Sequence, residues 1–252
     1  CVDEGNDISS FIRKDYNLNV LNLGMGGIGP LVQLAILKEY AHDVKTKNII
    51  LVFTESNDFT DLEEEKKIKY FLKYLSSDEL NLNKFFQEDI DKYLTNIYTH
   101  EFNKMASIYK KESEIIKILK FYYFRNFLEK NLFFHFYDHS TENQLNYLDE
   151  KLFLKILRNF KNFSKSKKSE LFILYLPEYN RYVTSNSVYY DKLESKVYEI
   201  ATKADIEFIS LVDYLDTKKD ILSFFPKNGG HYNYKGYELI SSFIYNKVIK
   251  ND

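Results

Sequence analysis

Asn22-Leu23-Gly24-Met25-Gly26-Gly27-Ile28-Gly29-Pro30 holds four of the chain's 8 glycines. Glycine reaches positive φ and lets backbones approach closely, at a cost in chain entropy. A chain that uses so little glycine and gathers it here needs a loop of special shape. Before it, Val20-Leu21-Asn22-Leu23 reads as a short strand ending at the turn. After it, Pro30 suits a first helical position, and Leu31, Leu34, Ala35 and Leu37 recur at helical spacing. Ile49-Ile50-Leu51-Val52-Phe53 is an unbroken apolar run, the mark of a strand buried on both faces, and it runs into Thr54-Glu55-Ser56-Asn57-Asp58. Strand, loop, helix, strand in this order predicts a βαβ unit and therefore a parallel sheet.

The rest of the chain extends that unit. Ile8, Phe11 and Ile12 predict a short amphipathic helix before it. From about residue 61 to residue 168 there is no glycine or proline, charge is high, and apolar residues such as Ile108, Ile115, Ile116 and Leu119 keep helical spacing. That is far more helix than one crossover requires, so this stretch is expected to be an insertion, either a subdomain on the sheet edge or a cap over the site. Its histidines, His100, His135 and His139, have no partners at metal-ligand spacing and read as surface or core residues. Residues 171–176 predict a second buried strand, ended by Pro177. A helix over 188–203, a strand over 208–211 and a final amphipathic helix over 234–249 follow. A second glycine group, Gly229, Gly230 and Gly236, surrounds His231. The expected fold is a single α/β domain over 1–252, a three-layer α/β/α sandwich with a parallel flavodoxin-like sheet and a long helical insertion at 61–168.

Composition narrows the function classes. With 252 residues and a formal net charge of −2, nothing points to nucleic acid or an anionic membrane. No apolar run reaches the roughly 18 residues of a membrane span. The single cysteine, Cys1, excludes an internal disulfide framework and a cysteine-based zinc site. The 22 tyrosines and 21 phenylalanines, with no tryptophan, read as compositional bias and not as a function. The compartment, cytoplasmic or periplasmic, stays open.

In an open parallel sheet, ligands bind beyond the carboxyl ends of the strands. The loops at 24–30, 55–58 and 177–182 leave such ends, and the loop carrying His231 follows the last strand. Backbone and asparagine N–H groups are oxyanion donors, and a histidine is the usual general base, a combination that suits acyl transfer. Asn-x-Gly-x-x-Gly, then Asn57-Asp58, then a late histidine resembles the SGNH (GDSL-type) hydrolases, most closely the branch acting on sugar O-acyl groups. The resemblance covers about residues 8–60 and 170–250. It implies a serine esterase, deacylase or O-acyltransferase acting on a small-molecule or saccharide ester without metal or organic cofactor. Position by position, it makes the N–H of Gly27 and the side chain of Asn57 oxyanion donors and His231 the base.

The family's Gly-Asp-Ser nucleophile motif occurs nowhere in the chain. Its layout places that serine, on a central strand, just before Cys1, so the chain is expected to be a fragment. Two further departures are visible. Glu55 stands where the family has glycine in Gly-x-Asn-Asp, and Asn228 stands where its Asp-x-x-His has aspartate. Asn228, or Asp213, Asp216 or Asp220 nearby, is then expected to orient His231. Arg181 and Tyr182 are candidate substrate-lining residues. Two alternatives remain: an inactive carbohydrate-binding or scaffold domain of the same fold, and a nucleotide binder built on Gly24, Gly26 and Gly29. The second lacks an acidic residue ending the next strand, although Phe53-Thr54-Glu55 comes close.

Overall fold

The computed structural model describes residues 5–76, 143–184, 186–227 and 229–250, with Thr95 and Thr99. The chain divides into two compact units, 1–80 with 143–252, and 81–142. Apart from those two threonines the second lies outside the described residues, and with it most of the expected cap and His100, His135 and His139. Asn228 also lies outside them.

The first unit is mixed α/β around a three-stranded parallel sheet in the order β1-β2-β3, formed by β1 (Asn48–Thr54), β2 (Glu170–Leu176) and β3 (Glu207–Ser210). β1 lies along β2 from Asn48 opposite Glu170 to Thr54 opposite Leu176, and β3 pairs with β2 from Phe172 opposite Glu207. The helices are α1 (Ile8–Tyr16), α2 (Pro30–Tyr40), α3 (Asp58–Glu65), α4 (Lys69–Leu72), α5 (Glu150–Lys167), α6 (Tyr179–Val183), α7 (Ser187–Lys203), α8 (Val212–Asp216) and α9 (Tyr234–Ile244). α9 ends in a π-helical turn, Tyr245–Ile249.

Side chains alternate along a strand, so each strand feeds two cores. Ile49, Leu51, Phe53, Leu171, Ile173 and Tyr175 join one cluster with residues of α2, α3, α5 and α7. Phe172, Leu174 and Leu176 join a second with residues of α1, α8 and α9. In the first cluster the rings of Phe53 and Phe59 lie 5.0 Å apart, Phe59 and Phe153 meet edge to face at 5.1 Å, and Phe53 stacks on Tyr175 at 5.6 Å. Such pairs contribute about 0.5–1.5 kcal/mol beyond the area they bury. The described flanks of the 61–168 stretch are part of this core, through Leu62, Leu75 and the fully buried Phe153, Ile156 and Leu157 of α5.

One expected element is corrected. Residues 20–23 form no strand. Leu21 is 54% exposed, and the Asn22 side chain accepts the Gly24 N–H at 2.9 Å, bending the chain into its turn. Val20 packs against the second core and Leu23 against the first, so the segment changes faces without pairing. Among the described residues β1 is therefore paired on one side only.

Candidate functional site

The loops singled out from the sequence meet through a chain of contacts at the carboxyl ends of the strands. Glu55 N–H donates to the Leu176 carbonyl (3.1 Å), adding one rung beyond β1 and tying the first loop to the second. Behind the second loop, Tyr232 OH donates to the Pro177 carbonyl at 2.5 Å, fixing the segment that carries His231. A Cβ on Gly229 would come within 2.7 Å of the Tyr179 ring, and its φ of +76° favours glycine independently.

Asn57 sits at the start of α3. Its Oδ1 accepts from the hydroxyls of Thr54 (2.8 Å) and Ser56 (2.9 Å), and its Nδ2 donates to Asp61 at 2.5 Å. An amide nitrogen carries two N–H bonds. One is taken by Asp61, and no described residue takes the other. Gln144, buried at 2% exposure, pins the same turn. Its Oε1 accepts the N–H groups of Phe59 (3.1 Å) and Thr60 (3.0 Å), and its Nε2 donates to the Ser56 carbonyl at 2.9 Å. Replacing Gln144 with alanine strands two N–H donors at the start of α3 and is expected to cost about 1–3 kcal/mol. A urea-unfolding series measures it, and an unchanged midpoint would show the turn to be self-supporting.

The glycine-rich turn reaches this group through α3. Gly27 is exposed with φ +72°, open around the position of a Cβ. Gly29 N–H donates to Glu65 Oε1 at 2.5 Å, and a Cβ on Gly29 would lie 2.8 Å from the Leu62 nitrogen. Glycine is required there by close approach and not by φ.

His231 is exposed, and no described residue bonds to its ring. Asp220 and Asp213 are exposed, and neither they nor Asp216 is joined to it. Nor does any hydrogen bond join Gly27, Asn57 and His231. The structure brings their loops to one end of the sheet without placing the three groups in contact.

Arg181 is enclosed. It is 8% exposed and Glu55 1%. Its Nε and Nη2 donate to Glu55 Oε1 at 2.8 and 2.6 Å, Nη1 to Asp191 at 2.8 Å and Nη2 to Glu194 at 3.1 Å. Glu55 also accepts from Tyr175 OH (2.8 Å) and Glu178 N–H (2.9 Å). The glutamate that departs from the family pattern thus has an inward role, joining the ends of β1 and β2 to α6 and α7. Tyr182 lies against Phe225 with its hydroxyl buried, and no hydrogen-bond partner among the described residues reaches it.

Burial pushes the carboxyls of Glu55 and Glu65 up to about 7, the first against the pull of Arg181 and the second against its N–H donors. Burial likewise raises Asp58, with Asp61 and Glu65 adding to it. An acid whose folded pKa lies above its unfolded value of 4.5 contributes stability in full below 4.5 and loses it as pH rises through about 7. Each of the two glutamates accounts for about 3 kcal/mol at most. The urea midpoint is therefore expected to fall between pH 5 and pH 8. A midpoint that rises over that interval would contradict the assignment.

Two clefts lie elsewhere, along β3. One, of 590 Å³, is lined by Tyr198, Ser210, Tyr214 and Phe243, and the other, of 710 Å³, by Lys161, Leu171 and Phe208. Both are open and neither includes Gly27, Asn57 or His231, so the candidate site is defined by the chemistry of the loops. Among the described residues no group of three or more His, Cys, Asp or Glu could hold a metal ion, and no helix is long and apolar enough to cross a membrane.

Glu65 and Gln144 had no sequence signal, and although Glu55 and Arg181 were each singled out, nothing in the sequence marked them as a pair. Glu65 and Gln144 stand in polar stretches that read as solvated, Glu55 read as a departure from one motif and a near match to another, and Arg181 read as a substrate-lining candidate. Compared with known proteins, the chain matches no family model, no curated protein and no solved structure.

Proposed function

We propose that the chain is the major part of an SGNH-type serine esterase or O-acyltransferase, a three-layer α/β/α sandwich acting on an ester-linked acyl group of a small molecule or saccharide. The observation that carries this reading is the gathering of the Gly27, Asn57 and His231 loops at the carboxyl end of one parallel sheet. The nucleophilic serine is supplied by a strand preceding Cys1 that pairs along the side of β1 left unpaired among the described residues. Its Oγ attacks the acyl carbonyl, and His231 takes the hydroxyl proton. The N–H of Gly27 and the second N–H of Asn57 Nδ2 receive the oxyanion. His231 then returns the proton to the leaving alcohol, and water or a second hydroxyl releases the acyl group. The test is fluorophosphonate labelling of the protein expressed with its native upstream segment. Labelling at a single serine before Cys1 supports the reading, and an unlabelled protein rejects it.

A second reading, an inactive saccharide-binding domain of the same fold, is favoured by one observation. His231 has no carboxylate partner among the described residues, so nothing there stabilises an imidazolium. An unlabelled protein that still binds an acylated saccharide would select it.

A further inference from the structure

Asn57 stands where an asparagine normally caps a helix, and it does not cap. Its backbone carbonyl accepts the Asp61 N–H at 2.7 Å, the first rung of α3. A capping asparagine turns its side-chain oxygen onto the N–H groups two or three residues ahead. Those belong to Phe59 and Thr60, and the Asn57 side chain bonds to neither. Gln144 Oε1 accepts from both instead, across 85 and 84 positions of sequence. Gln144 is wholly committed there. Its Nε2 donates to the Ser56 carbonyl at 2.9 Å and to Thr60 Oγ1 at 2.6 Å, so both ends of its amide are engaged.

With its cap supplied from elsewhere, the Asn57 carboxamide is available for other bonds. Its oxygen and nitrogen ends are nearly the same shape, so the neighbours decide which way it faces. Thr54 and Ser56 do not discriminate, because a hydroxyl at 2.8 or 2.9 Å can donate to an oxygen or accept from an N–H. Asp61 does. An ionised carboxylate only accepts, so the atom 2.5 Å from Asp61 Oδ2 has to be the nitrogen. The reverse orientation would set an amide oxygen against a carboxylate oxygen. Asp61 therefore settles the orientation, and what stays uncommitted among the described residues is an N–H.

We propose that Gln144 and Asp61 are positioning residues for Asn57: Gln144 takes over its cap, and Asp61 fixes its carboxamide so that one N–H is presented to the reacting oxygen. The part played in turnover rests on the esterase reading, whereas the fixed orientation does not. A reversed Asn57 would set its own oxygen against the developing oxyanion. Repulsion would then replace a bond of the kind whose loss costs about 10²–10³-fold in kcat. Substrate binding would change little, because that charge develops only in the transition state.

The test uses the protein expressed with its native upstream segment, with p-nitrophenyl acetate as substrate at pH 8. Asn57→Ala is expected to lower kcat by about 100-fold. Asp61→Asn keeps the shape but can donate as well as accept, so the reversed orientation becomes populated and kcat should fall about 3–10-fold at unchanged KM. Added to Asn57→Ala, the same change should alter kcat by no more than about twofold, because no carboxamide is left to turn. A residue that merely props α3 would lower kcat in both backgrounds. Side-chain amide NMR reads the orientation without catalysis. Of the two Asn57 amide protons, identified by their loss in Asn57→Ala, the one bonded to Asp61 should exchange with water more slowly than its twin. That difference should vanish in Asp61→Asn, and also in Gln144→Ala as Asn57 returns to its cap. Equal exchange in the unmodified protein overturns the proposal, as do equal losses of kcat in the two backgrounds. If Asp61→Asn does not fold, the unmodified protein and Gln144→Ala decide by NMR. A protein that neither labels with fluorophosphonate nor turns over sinks the esterase reading, and the amide protons then decide the orientation alone.

Discussion

Arg181→Met is expected to destabilise the protein by about 3–5 kcal/mol at pH 8, the range found when one partner of a buried ion pair is removed. The cause is what stays behind. Glu55, 1% exposed, would keep only Tyr175 OH and Glu178 N–H as donors, with no guanidinium against its charge. The loss should shrink at pH 5, where a neutral Glu55 needs no cation. This pH contrast separates the electrostatic effect from lost packing, which does not titrate. The reciprocal change, Glu55→Gln, should cost less, because Arg181 keeps Asp191 and Glu194. Urea unfolding of both variants at the two pH values reads the difference, and equal losses at pH 5 and pH 8 would dismiss the charge argument. Asp191 has a side chain 67% exposed, so its share of the network is small.

The second large effect is on activity. If the proposed esterase reading holds and the protein is expressed with its native upstream segment, His231→Ala is expected to lower kcat for p-nitrophenyl acetate by about 10²–10⁴-fold while leaving KM near its original value. The side chain is exposed on a loop whose shape is held by Gly229, Gly230 and Tyr232, so stability should barely change. An unchanged kcat in a labelled, folded protein would remove His231 from the mechanism and leave the base to be found elsewhere. Asp220→Asn serves as a comparison: a tenfold loss there would show the exposed aspartate swinging towards the imidazole during turnover.

How much of this was legible in the sequence follows from where each interaction is encoded. β1 and β2 were plain because a strand buried on both faces is written as a continuous apolar run. α2 and α9 were legible from Pro30 and from the spacing of Ile240 and Ile244. The segment Val20-Leu21-Asn22-Leu23 looks equally strand-like, but a strand exists only where a neighbour pairs with it, and Asn22 turns the chain first. The side chains that position the candidate site are written in pairs far apart. Glu65 meets Gly29 across 36 positions, Gln144 meets Phe59 across 85, and Arg181 meets Glu55 across 126. A polar residue in a polar stretch carries no mark of a distant partner, so these remained hidden while Gly27, Asn57 and His231, whose residue types suggest chemistry, stood out. The described ends of the helical stretch surprised in the other direction: α5 supplies core through Phe153, Ile156 and Leu157.

The one-sided pairing of β1 has a consequence for how this chain behaves at high concentration. Asn48-Ile49-Ile50-Leu51-Val52-Phe53-Thr54 contains no charge and no proline, the residues that keep sheet margins from recruiting other molecules. Among the described residues no strand lies along the outer side of β1, and a row of backbone donors and acceptors with apolar flanks is a template whose readiest match is another polypeptide in extended form. Purified at high concentration, the protein is expected to seed ordered aggregates that bind amyloid dyes, and a lysine at Ile50 or Val52 should act as a gatekeeper and suppress them.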